Sequence, residues 1–181
     1  MSPDLFNLPF VKLIIPTVLA TLVIVSLLAL WVMSTRRHRS DRYQRGWFSR
    51  IAYIAFIVCV AVLSITAFGS IVREGHMQHY ALIAHTSGAG AFVFLLIAVS
   101  ATYLPRGSAT RDNWTVEQWS AWILVLVSLC TVATMLISMV PVLDTQGMNQ
   151  ALVVHRFAGL ATAMVAIVHL FSLVAGRLGY R

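Results

Sequence analysis

The chain has 181 residues, 59% of them hydrophobic and 10% charged. A soluble domain carries about a quarter charged residues, so a soluble enzyme is nearly excluded, and the hydrophobicity excludes disorder. Thirteen basic against six acidic residues leave a charge of +7. Cys59 and Cys130, the two cysteines, are too few and too far apart for a disulfide framework or a thiolate-rich metal site.

A helix that crosses a bilayer needs about 20 apolar residues. Leu13–Met33 is the first such run, followed by Ile51–Val72, Tyr80–Leu104 and Trp119–Leu143, all without Asp, Glu, Lys or Arg. Ala151–Gly176 is the fifth, apolar apart from His155, Arg156 and His169. The runs are too long for strands, and helices satisfy their own backbone in lipid. The expected fold is therefore all-α: one transmembrane domain over residues 1–181, an integral membrane bundle of five transmembrane helices. The first run lacks a basic segment ahead of it, is too long for a signal peptide and shows no clear cleavage site. Thr115-Val-Glu-Gln118 has the form of a capping box and is expected to start span four. Pro105 and Gly107 end span three, and Pro141 lies near the end of span four. No repeat or low-complexity tract is visible in the sequence.

Basic residues set the expected orientation. Arg36, Arg37, Arg39, Arg42, Arg45 and Arg50 lie between spans one and two, Arg106 and Arg111 between spans three and four, and Arg177 and Arg181 in the tail. All fall on one side of a five-span arrangement; the other side has Lys12, Arg73 and Arg156. Short basic loops stay cytoplasmic. The N-terminus is thus expected outside and the C-terminus in the cytoplasm, with a bacterial inner membrane as the setting. The basic charge reads as a topology signal, so no nucleic-acid partner is expected. Trp31, Trp47, Trp114, Trp119 and Trp122 all fall toward the inner side. Either chance or a partner protein covering the outer face accounts for that imbalance.

His38 lies in the basic loop and reads as solvated. His85, His155 and His169 lie within spans, where ionisable side chains are expensive and usually functional. His85 is about five residues into span three and His155 about five into span five, roughly 7 Å below the outer boundary at 1.5 Å per residue. Two facing helices with imidazoles at equal depth are what a bis-histidine haem requires. His155 and His169 share a face of span five, about 21 Å apart. The strip between them, Ala158, Gly159, Thr162, Ala163 and Ala166, is small-sided; Gly88 and Ala89 follow His85 by one turn. Small residues leave room for a flat macrocycle and also serve ordinary helix packing.

With these residues in place, the sequence resembles membrane-bound b-type cytochromes: the helical core of cytochrome b and the small di-haem membrane cytochromes. In those families one helix carries two histidines about fourteen apart and a facing helix carries their partners. The resemblance implies His85 and His155 as axial ligands of a haem b, with Gly88 and Gly159 in the cofactor-binding face. The partner of His169 should stand at Val99, which cannot ligate; Met33 is the other residue near that depth. His169 therefore serves a second haem of unusual ligation, or hydrogen-bonds a quinone, a neighbouring haem or another helix. Cys59 and Cys130 are expected as small core residues.

Arg73 and Arg156, the only outer arginines, either hold haem propionates or snorkel to headgroups. Glu74 and Asp144 are either proton acceptors for a quinol or solvated loop charges. His76 and His79 are solvated, touch a propionate, ligate the haem instead, or join His85 in a copper or zinc site. The expected function is a haem b electron-transfer subunit between the quinone pool and an extracytoplasmic redox partner. It would belong to a respiratory or photosynthetic-type complex whose other subunits dock on the outer face. The competing reading is a haem-free membrane anchor, or a factor that assembles metal or haem into such a complex.

Overall fold

The computed structural model describes residues 10–35, 46–103, 116–140 and 142–177. It contains five helices: α1 Phe10–Thr35, α2 Trp47–Glu74, α3 His79–Tyr103, α4 Val116–Met139 and α5 Thr145–Arg177. All five are long and apolar enough to cross a membrane. The shortest has 24 residues, about 36 Å at 1.5 Å per residue, against a hydrocarbon core of about 30 Å. The protein is thus a helical integral membrane bundle, and no strand occurs among the described residues. Large apolar side chains such as Ile54, Ile65, Phe94, Ile97 and Leu126 face outward, as a lipid solvent requires.

Local chemistry sets the helix ends. Gly75 closes α2 in the left-handed region, φ 77°, its N–H bonded to the Ile71 carbonyl at 3.0 Å; glycine reaches that conformation without steric cost. Asp144 caps α5: its Oδ1 accepts the Gly147 N–H at 2.7 Å. The cap starts the helix at Thr145, about six residues before the apolar run begins, so polar Thr145 to Gln150 form helix where a loop was expected. Span four ends at Met139 rather than Leu143. Thr115, Pro105, Gly107 and Pro141 lie outside the described residues, as do the side chain of Met33 and the basic segment with His38.

The chain alternates direction from helix to helix. Phe10 at the start of α1 meets Phe68 near the end of α2 and, edge-on at 5.3 Å, Phe157 in the first half of α5. Consecutive helices pair as two tight hairpins, α2/α3 and α4/α5, with α1 laid against α5 and α2. The hairpins meet more loosely, α2 beside α5 and α3 beside α4. Helices α3 and α5 face one another across the diagonal, with no close backbone approach among the described residues.

Packing differs between the two ends. Tyr53, Phe56, Val60, Phe92, Leu96, Val99, Leu124 and Ala166 form one core drawn from four helices, with Phe56 and Phe92 stacked at 5.5 Å. This core fills the half toward the basic loops. Toward the short α2–α3 and α4–α5 connections the bundle is open: no described residue of α3 before Phe92, or of α4 after Ser128, is buried. The first buried residue of α5, Leu160, packs against α1 instead.

Candidate functional site

His85 projects from α3 toward α2. Its Nδ1 lies 3.2 Å from the Leu63 carbonyl oxygen and 3.2 Å from Thr66 Oγ1. His155 projects from α5 toward α4 in the same manner, its Nδ1 3.0 Å from the Thr131 carbonyl oxygen and 3.4 Å from Thr134 Oγ1. A carbonyl oxygen cannot donate, so in both rings the proton of the neutral imidazole belongs on Nδ1. The lone pair then belongs to Nε2, and neither Nε2 has a hydrogen-bond partner among the described residues. A ring anchored through Nδ1–H and free at Nε2 is the usual arrangement of a metal-ligating histidine.

The two rings lie within electrostatic reach of one another, in the open half of the bundle. Both are half-buried. Gly159, one turn beyond His155, has open space where a side chain would begin, with nothing within 4 Å of an ideal Cβ. Thr162, a further turn on, is buried and bonds Thr131 at 3.1 Å. Gly88 stands differently. A Cβ there would come within 3.1 Å of Leu63 Cδ2, and its carbonyl accepts the Cys59 thiol at 3.4 Å. Its small size therefore lets α3 approach α2. Cys130 is exposed on the outside of the bundle, not in the core as the sequence suggested.

The surrounding charged groups divide by role. Arg73 and Arg156 are exposed at the short-loop end, and no ion pair engages either among the described residues. Glu74 accepts a hydrogen bond from Gln78 at 3.0 Å. Asp144 caps α5 through one carboxylate oxygen. His76 pairs with Gln78 at 3.2 Å, and His79 opens α3 with φ 52°. Among the described residues no three His, Cys, Asp or Glu gather as a metal site, so a copper or zinc centre built from His76, His79 and His85 is not assembled.

His169 belongs to the closed half. It is buried, its Nδ1 2.9 Å from Ser120 Oγ, with Tyr53 edge-on at 5.9 Å. Ser120 in turn bonds the Glu117 carbonyl and lies 3.4 Å from Ser172. His169 and Val99 line the same cavity, together with Tyr53, Phe56, Leu96 and Leu124. Its volume is about 10 Å³, about one water molecule.

Several of these groups escaped the sequence reading: the Leu63 and Thr131 carbonyls, Thr66, Thr134 and Ser120. The available signal was a threonine 19 residues before one histidine and 21 before the other. The chain matches no protein-family model, and comparison with curated proteins and with solved structures likewise gives no match.

Proposed function

We propose that the protein is a haem b electron-transfer subunit, with His85 and His155 as the two axial ligands. One observation carries this reading: two imidazoles on diagonal helices, each tethered through Nδ1 to the neighbouring helix, each with an unengaged Nε2, beside a stretch of bundle that the protein does not fill. When bound, the haem supplies one-electron transfer between its ferric and ferrous states. The chain supplies the rest. The carbonyls of Leu63 and Thr131 orient the rings, and Gly159 leaves room beside His155. Arg73 and Arg156 are the cations available to anionic propionates at the short-loop end. With His85 and His155 both holding the iron, the site would suit electron transfer rather than binding of a small molecule.

The packing favours one haem per chain in this reading. The layer of His169 holds aromatic and aliphatic side chains where a second macrocycle would have to sit. We place the short-loop end outside and the basic loops in the cytoplasm, in a bacterial inner membrane, because short arginine-rich loops are retained there. The partners are then the quinone pool and an extracytoplasmic redox subunit docking at the short-loop end. The test is spectroscopic: purify the chain in detergent and record reduced-minus-oxidised spectra of wild type, His85→Ala and His155→Ala. Loss of the low-spin haem signal in each variant supports the assignment. A wild type that takes up no haem returns the protein to the anchor or assembly role.

A further inference from the structure

We propose that Thr66 and Thr134 are a matched pair of positioning residues that set how strongly the two histidines donate to a bound metal; this rests on the haem reading above. Threonine in an apolar helix commonly bonds the carbonyl one turn back, and Thr17, Thr86 and Thr102 do only that. Thr66 and Thr134 do more. Thr66 donates to the Val62 carbonyl at 2.8 Å or the Leu63 carbonyl at 3.1 Å. Thr134 donates to the Cys130 carbonyl at 2.8 Å or the Thr131 carbonyl at 3.0 Å. With the hydroxyl proton spent on the helix, the oxygen offers a lone pair, and the nearest donor is the histidine Nδ1–H. Each imidazole proton is therefore shared between a carbonyl and a hydroxyl oxygen.

The two sites are copies. In each, a carbonyl is followed three residues on by a threonine, and the histidine stands on the next helix, 22 residues after the carbonyl in one hairpin and 24 in the other. The pairs Leu63/Thr131, Thr66/Thr134 and His85/His155 thus relate hairpin α2/α3 to hairpin α4/α5, a repeat hidden in the linear sequence. His169 breaks the pattern: its counterpart is Val99, and its Nδ1 lies against the Ser120 hydroxyl at 2.9 Å.

A second acceptor on Nδ1–H gives the ring more imidazolate character and strengthens Nε2 as a donor, which favours the higher oxidation state. Thr66→Val and Thr134→Val keep the side-chain shape and the carbonyl tether but remove the hydroxyl acceptor. Each is expected to retain haem and to raise the midpoint potential, Thr66→Val by more because its contact is shorter; the double variant rises further. The low-spin electron paramagnetic resonance signal shifts in parallel, and Thr→Ser at either position restores both. Should a valine variant not accumulate, Thr→Ala removes the same oxygen. Variants that bind haem with wild-type potential and wild-type resonance overturn the inference and leave the ligand assignment standing. A wild-type chain without haem overturns both.

Discussion

The two ends of the bundle share the same helices, yet one is packed by all of α2 to α5 while the other is packed only where α1 meets α2 and α5. In the basic-loop half, Phe56, Phe92, Leu96, Val99 and Leu124 occupy the centre, and the buried His169 has Ser120 as its partner. In the short-loop half, α3 and α4 bury nothing, Gly159 faces open space, and two histidines carry an unengaged nitrogen. A buried polar group is tolerated when hydrogen-bonded; His169 follows that rule and reads as structure. His85 and His155 meet it only halfway, and the unmet half lies where the bundle has room. The same residue type is thus fully engaged at one end and keeps a free ring nitrogen at the other, and the haem proposal rests on that difference.

Four sets of substitutions sharpen that contrast, and the largest effect belongs to the ligands. His85→Ala and His155→Ala each abolish the low-spin haem spectrum, while both apoproteins keep their helical circular dichroism. Phe56→Ala comes next. It opens a cavity in the filled half at a cost of about 3–5 kcal/mol, visible as a lowered melting temperature in detergent, with the haem spectrum of the surviving fold unchanged. His169→Leu removes the Ser120 contact and costs about 1–3 kcal/mol; its spectrum and haem content also stay at wild type, and a lost haem signal here would refute the division of roles. Gly159→Leu is the converse test. Melting of the haem-free chain is unaffected, but crowding beside His155 weakens haem retention by about 1–3 kcal/mol, roughly fivefold to a hundredfold, read by titrating haem into the apoprotein.

Much of the fold was legible because lipid demands it. Five apolar runs separated by basic or polar segments leave no other way to satisfy the backbone, and the structure has five helices at those places. The ends were less legible. Apolarity locates the part of a helix that lipid requires and is silent about polar turns beyond it, so the first six residues of α5 were missed although Asp144, read as a charged loop residue, was their cap. The histidines of interest could be chosen from depth and face alone. Their tethers could not, because the essential acceptors at Leu63 and Thr131 are backbone carbonyls, which any residue carries. The hairpin repeat was hidden for a related reason: in a membrane interior most apolar residues are interchangeable, and only a threonine and a histidine per hairpin retain the pattern. Small size was ambiguous as well. Gly88 and Gly159 read alike in the sequence, but one is pressed against Leu63 and the other borders open space.

The central claim is that the open half accommodates one iron porphyrin between His85 and His155. The most direct test is haem stoichiometry of the purified wild-type chain by the pyridine haemochrome assay, paired with electron paramagnetic resonance of the oxidised sample. The account predicts one haem b per chain with a single low-spin bis-imidazole signal. A chain that binds none, or whose only signal is high-spin, contradicts it.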